Sequence, residues 1–182
     1  MDEMLVLYLS LLDGEDEGKF ERLYYKYRRL MFTCAKEILK DDVLAEDAVH
    51  EAFLRLTKHM KGIDEVKCNK TLRFVVIVVE SAAKDIYRKE KRFRHIPWED
   101  VEAQYNFPVQ EITESLTDVE KAILKLPLTY RQIFQMKFAW GYPNKEIAEV
   151  LNIREGTLRQ RISRGKEILR NLLKEMEVYV DE

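Results

Sequence analysis

The 182-residue chain is poor in the residues that make tight turns, with 6 glycines and 4 prolines. Together they are about 5.5% of the chain, where about 12% is average. Sandwiches, barrels and other turn-rich β folds need more of them, which argues against an all-β architecture. Cysteine is equally scarce: Cys34 and Cys68 cannot staple a scaffold and lack the CxxC spacing of a zinc site. There are three histidines, His50, His59 and His95. His50-Glu51 begins like H-E-x-x-H, but position 54 is leucine, so the zinc motif fails. Neither a glycine-rich phosphate loop nor a Ser-His-Asp order stands out. The chain is therefore read as a non-enzyme, with no metal and no cofactor expected. Long apolar runs are missing too: Phe74–Val79 spans six residues, against roughly 18 needed to cross a bilayer. The opening Met1-Asp2-Glu3-Met4 is acidic where a secretion signal would be basic. No membrane insertion is expected, and a reducing, cytoplasmic setting is the simplest reading.

Charge is abundant but unevenly laid out. The 31 Lys and Arg nearly cancel the 33 Asp and Glu, leaving a net charge of −2. Met1–Glu21 holds seven acids against Lys19, and Pro97–Glu120 holds seven acids and no base. Between them, Lys84–Arg94 carries six bases (Lys84, Arg88, Lys89, Lys91, Arg92 and Arg94) against Asp85 and Glu90. Lys145–Lys174 is basic again, with eight bases to four acids. Such blocks, more than the total, set the potential that a polyanion meets.

The periodicity is helical throughout. All four prolines lie at or after position 97. After the breaker Asp13-Gly14, the residues Phe20, Leu23, Tyr24, Tyr27, Leu30 and Met31 recur at helical spacing, with Tyr25 and Phe32 widening the buried face. Asp41 or Asp42 is placed to cap a second helix, whose stripe is Ala45, Val49, Ala52, Phe53 and Leu56. Lys61–Lys70 is polar and reads as a loop. Phe74–Val79 has strand propensity, but no partner strand of similar quality exists, and Ala82, Ala83, Ile86 and Tyr87 continue its face at helical spacing. A buried helix from Thr71 to about Arg92 is the consistent reading. His95–Ser115, with Pro97 and Pro108, reads as an acidic linker. Beyond it come helices at Leu116–Lys125, Tyr130–Phe138, Asn144–Leu151 and Glu155 to about Lys174, with turns at Leu126-Pro127, Gly141-Tyr142-Pro143 and Asn152-Ile153-Arg154. The expected fold is all-α: two helical domains, 1–94 and 116–182, joined by the linker 95–115.

Asn144–Arg164 follows the helix-turn-helix plan, in which a second helix of this size enters the major groove of DNA. Its polar candidates are Thr157, Arg159, Gln160, Arg161, Ser163, Arg164 and Lys166, since Arg pairs with guanine and Gln with adenine. Leu158, Ile162 and Leu169 are expected to face the core, and Gly156 would let the backbone approach a phosphate. The stripe Lys84–Arg94, interleaved with Tyr87 and Phe93, suits phosphate neutralisation and base stacking. Trp98 and Trp140 read as packing residues.

These segments together resemble the bacterial extracytoplasmic-function sigma factors. Phe20-Glu21-x-Leu23-Tyr24-x-x-Tyr27 is similar to the family's opening helix. Glu46-Asp47-Ala48-Val49-His50-Glu51-Ala52-Phe53-Leu54-Arg55-Leu56 resembles its polymerase-binding helix, written D-x-x-Q-E-x-F-L-R. Asp85-Ile86-Tyr87-Arg88 resembles the D-Y-L-R end of the helix that reads the minus-ten element. Leu126-Pro127 through Arg164-Gly165 resembles the module that reads the minus-thirty-five element. The resemblance implies core RNA polymerase and promoter DNA as partners, with an anti-sigma factor or other antagonist restraining the protein. It assigns polymerase docking to Asp47, His50, Glu51 and Arg55, and it makes the loop around Lys61–Lys70 the holder of a flipped promoter base. His50 stands where the family commonly has glutamine, and Phe74 where it has tryptophan. Glu80-Ser81 replace Arg-Asn in the melting helix, an exchange that would weaken a contact to single-stranded DNA. A stand-alone helix-turn-helix regulator with an N-terminal interaction domain is the competing reading. The face Asp47–Arg55 separates the two, because only a polymerase adapter needs it exposed.

Overall fold

A computed structural model describes residues 3–91 and 117–176. The chain divides into two compact units with the boundary at positions 108 and 109, and each unit is described by itself. Among the described residues every regular element is helical, as the sequence leads one to expect.

In the first unit α1 (Glu3–Leu9), α2 (Gly14–Leu39), α3 (Asp42–Thr57) and α4 (Asn69–Lys91) are joined by short connections, with a 3-10 turn at Met60–Gly62. Helix α2 buries Phe20, Leu23, Tyr24, Tyr27, Met31, Cys34, Ala35 and Ile38. Leu30 and Phe32 are half-buried. Tyr25, expected to widen that face, is 59% exposed because it lies about 100° round the helix from Tyr24, off the stripe. Lys40 closes α2 in the left-handed region at φ 55°, and Asp41 then opens α3 by accepting a hydrogen bond from the Leu44 amide at 3.0 Å.

The β-branched run of α4 settles the ambiguity left by propensity. Every residue from Phe74 to Val79 is buried, together with Ala82, Ala83 and Tyr87. Residues on all sides of a helix can be buried only if neighbours surround it, and α2 and α3 both pack along α4. A β-branched residue in a helix costs up to about 0.7 kcal/mol relative to alanine. Burying such a side chain contributes roughly 1.5–3 kcal/mol. Burial wins several-fold, and the segment is a helix.

The loop between α3 and α4 is polar in composition but firmly held. Met60, Ile63 and Val66 are buried. The Lys19 ammonium donates to the Met60 carbonyl at 2.9 Å, and the Tyr27 hydroxyl donates to the Val66 carbonyl at 2.6 Å. Burial, and after it the nearby Cys68 thiol, pushes the Tyr27 phenol up to about 12. The phenol therefore holds its proton more tightly folded than unfolded. Its contribution is whole below pH 10, the unfolded value, and is lost as pH rises to about 12. Denaturant titrations should show this unit losing stability across that window. Tyr27→Phe should remove that share of the pH dependence and destabilise by about 1–3 kcal/mol at neutral pH, from the lost bond to a buried carbonyl.

In the second unit α5 (Asp118–Lys125) begins with a reciprocal cap in which the Thr117 hydroxyl accepts from the Glu120 amide at 3.3 Å. The Glu120 carboxylate accepts from the Thr117 amide at 2.9 Å. Pro127 separates α5 from α6 (Leu128–Phe134), which widens into a π-helical turn at Gln135–Ala139. Gly141, at φ +73°, closes the turn. Helix α7 (Asn144–Val150) and helix α8 (Glu155–Glu175) follow. Asn152, at φ 50°, makes the connection between them left-handed. The Ile153 amide returns to the Ala148 carbonyl at 2.9 Å.

Ile147, Ala148, Leu151 and Leu158 are buried as expected, and Val150 joins them. Ile162 and Leu169, expected in the core, are only half-buried. The reason is Gly165. A Cβ there would stand 2.5 Å from the Phe134 ring and 3.1 Å from the Tyr130 ring. The backbone of α8 thus rests directly on α6 at Gly165, and its larger neighbours fall to the sides of the contact. Gly165→Ala should lower stability by about 1–3 kcal/mol through overpacking. A thermal melt checks this, and an unchanged midpoint would show that Phe134 swings aside freely.

Candidate polymerase and promoter interface

Helix α3 presents two unlike faces. Val49, Phe53 and Leu56 point inward, while Glu46 and Asp47 are exposed and His50, Glu51 and Arg55 are half-buried. Asp47 is open to solvent, but the other three are engaged within the unit. His50 Nδ1 lies 2.6 Å from the Tyr8 hydroxyl of α1, and the two rings lie 5.4 Å apart. Tyr8 itself is 2% exposed and packs against the Phe20, Tyr24 and Phe53 rings. Helix α1 therefore forms one wall of an open cleft of about 660 Å³, with Arg28 and Arg29 of α2 and Glu46, Asp47 and His50 of α3 also lining it.

Arg55, expected on the open docking surface, is a cross-brace. Its side chain is 11% exposed. Nε donates to Glu51 at 2.9 Å, Nη2 to Asp85 at 2.8 Å and Nη1 to Ser81 at 3.3 Å. The three donors use the fixed fork of a guanidinium; the bonds to Ser81 and Asp85 tie α3 to α4, and Glu51 holds the fork from α3 itself. The sequence motif places Arg55 at the edge of the helix but carries no sign of the inward turn.

The basic end of α4 is shorter than the charge block suggests. Arg88 and Lys89 are exposed. Lys84 is 5% exposed, one turn from Glu80, which is 1% exposed, so both lie on the inward face. Lys84 therefore does not stand on an open DNA-facing surface. Glu80 and Ser81 are buried as well, so the acid in place of the family's usual base does not face a DNA strand. Lys91 ends α4. Arg92, Arg94, Trp98 and the acidic linker lie outside the described residues.

On α8 the polar candidates divide by exposure. Arg159, Gln160, Arg164 and Lys166 are exposed, and Thr157 and Arg161 are half-buried. Arg159 reaches back to Glu155 at 3.7 Å with a side-chain exposure of 66%. Such a pair holds little energy and yields readily to a stronger partner. A Cβ at Gly156 would meet nothing within 4 Å. The fold itself does not require glycine there.

A second open cleft, of about 750 Å³, lies between α2 and the held loop. Lys19, Glu21, Arg22 and Lys26 of α2 line it together with Asp64, Glu65 and Lys67 of the loop. Neither cleft was visible in the sequence, because each is made by residues from separate elements.

The family model for Sigma-70 region 2 matches residues 23–93, and that for Sigma-70 region 4 matches residues 116–169. Together they cover more than half of the chain. The ECF RNA polymerase sigma factor SigW of Bacillus subtilis is 25% identical over 97% of this chain and its own full length. SigM of Mycobacterium tuberculosis is 26% identical over 87% of this chain and 79% of its own. The RNA polymerase sigma factor SigV of Bacillus subtilis is 29% identical over 79% of this chain and 82% of its own. The described residues are helical and include a helix-turn-helix with exposed basic side chains, which is the plan of a DNA-binding protein. The chain belongs to the sigma factors of RNA polymerase, of the extracytoplasmic-function type. It directs promoter-specific transcription, and the stand-alone regulator is not favoured. Among the described residues no helix is long and apolar enough to cross a membrane.

Proposed function

We propose that this sigma factor divides its work between two units, as the sequence pattern 1–94, 95–115 and 116–182 implies. The first unit docks on core polymerase through the Asp47 face of α3 and meets the minus-ten region with Arg88 and Lys89. Lys91, Arg92 and Arg94 extend that basic end. The second meets the minus-thirty-five element with Thr157, Arg159, Gln160, Arg161, Arg164 and Lys166. The protein acts in the cytoplasm without catalytic chemistry of its own, and an anti-sigma factor or other antagonist restrains it. The observation that carries the reading is α8, where Arg159, Gln160, Arg164 and Lys166 are exposed while Leu158 and Gly165 are buried. Open Gly156 supports it, because a glycine inside a helix costs about 1 kcal/mol and the fold gives no internal reason for it. Sequencing the transcripts that core polymerase initiates on genomic DNA with and without this protein tests the function. Identical start sites in both samples would reject it.

Two predictions address the residues. Asp47→Lys should abolish core-polymerase binding in a pull-down while leaving the melting midpoint unchanged, since exposed substitutions usually stay within about 0.5 kcal/mol. Undiminished capture would move the docking site elsewhere. On α8, Arg159→Ala or Gln160→Ala should cost about 1–3 kcal/mol and relax preference at one promoter position. Lys166→Ala should weaken all sequences alike, as loss of a phosphate contact does. Binding to a series of single-base promoter variants separates the two patterns. Uniform weakening by every substitution would mean that α8 only grips the backbone.

A further inference from the structure

Asp85 is an acid in an awkward place. It lies three and four residues before Arg88 and Lys89, so the three share one face of α4 near its exposed end. Its side chain is 31% exposed, close enough to solvent for its charge to be felt by a polyanion there. Left alone, it would repel phosphates and compete with them for the two cations. Arg55 meets it from α3, with Nη2 at 2.8 Å from Oδ2. The same guanidinium is held by Glu51, whose side chain is 46% exposed on α3, and by Ser81.

We propose that Arg55 is a positioning residue for promoter engagement: it cancels the charge of Asp85 beside the DNA-facing end of α4. The inference rests on the reading that Arg88 and Lys89 meet promoter DNA, and it assigns Arg55 a role other than direct contact with polymerase. Lysine cannot replace it fully, because an ammonium lacks the planar fork that reaches Glu51, Ser81 and Asp85 together. Glu51 gives the arrangement a second consequence. A polymerase cation that takes Glu51 leaves the guanidinium to Asp85, so docking strengthens the neutralisation.

The test uses the full chain assembled with core polymerase. The probe is a labelled duplex taken from the strongest start site found by the transcript sequencing above. Arg55→Gln should weaken holoenzyme binding to that duplex about tenfold, the equivalent of one charge-assisted hydrogen bond. Adding Asp85→Asn should bring affinity back to within about threefold of the parent, since the acid that lost the Arg55 guanidinium is gone. Affinity for core polymerase alone should be the same for the single and double variants. A purely structural brace predicts no such rescue, so a double variant as weak as the single overturns the proposal, as does undiminished binding by Arg55→Gln. Should Arg55→Gln melt below the assay temperature, Asp85→Asn in the parent serves instead. Its amide oxygen still accepts from Nη2, and the proposal expects promoter affinity equal to or above the parent's; a loss overturns it. Arg88→Ala and Lys89→Ala keep the two readings apart. If they leave affinity untouched, the reading of α4 fails and this inference with it. If they weaken it while Arg55→Gln does not, only this inference fails.

Discussion

The burial of α4 is the constraint on which the first unit depends. A helix whose residues from Phe74 to Val79 are all shielded from water must be wrapped, and α2 and α3 supply the wrapping with their own apolar stripes. Once that shaft is covered, the remaining freedom is small. Among the described residues, the polar ends and edges of α2, α3 and α4 remain open to a partner. The loop that joins α3 to α4 must also lie close to α2, where Lys19 and Tyr27 capture two of its carbonyls. The cleft beside that loop and the cleft beneath α1 follow from the same packing.

The second unit reaches its arrangement by a different route. It has less apolar surface to bury, and it relies on close approach: Gly165 lets α8 lie directly against Phe134 and Tyr130. Helix α8 buries Leu158, Gly165 and Leu173. Arg159, Arg164 and Lys166 stand outward on the rest of it. The left-handed Asn152 sets the angle at which α8 leaves α7.

Much of this was legible in the chain. Helical spacing found α2, α3, α7 and α8, and the want of a partner strand correctly overruled the propensity of Phe74–Val79. The caps and breakers Asp41, Pro127 and Gly141 stand where the local chemistry put them. What periodicity does not report is which polar residues are used internally. Arg55 and Lys84 look like any surface cation in sequence, yet one braces two helices and the other lies on the buried face of α4. His50 is similar, because its partner Tyr8 is 42 residues away on another helix. Gly165 stood inside a recognised motif, but its role needs the Phe134 ring, which only the fold brings near. Each of these is a pairing across distant segments, and no local pattern encodes it.

The electrostatic organisation follows from the same separation of scales. A net charge of −2 gives the chain almost no long-range field to offer a polyanion. At physiological salt, exposed charges are screened beyond about 8 Å, whereas a 21-residue helix such as α8 is roughly 31 Å long. A phosphate at one end of α8 therefore senses the charges of the nearest turns most strongly. The same reasoning makes Asp85 matter. It is inside the screening distance of Arg88 and Lys89, one helical turn away, where a single uncancelled carboxylate can offset a base. A chain that holds nearly equal numbers of both signs can bind DNA only if its acids are kept distant or neutralised. At Asp85 the guanidinium of Arg55, reaching from a neighbouring helix, achieves the second.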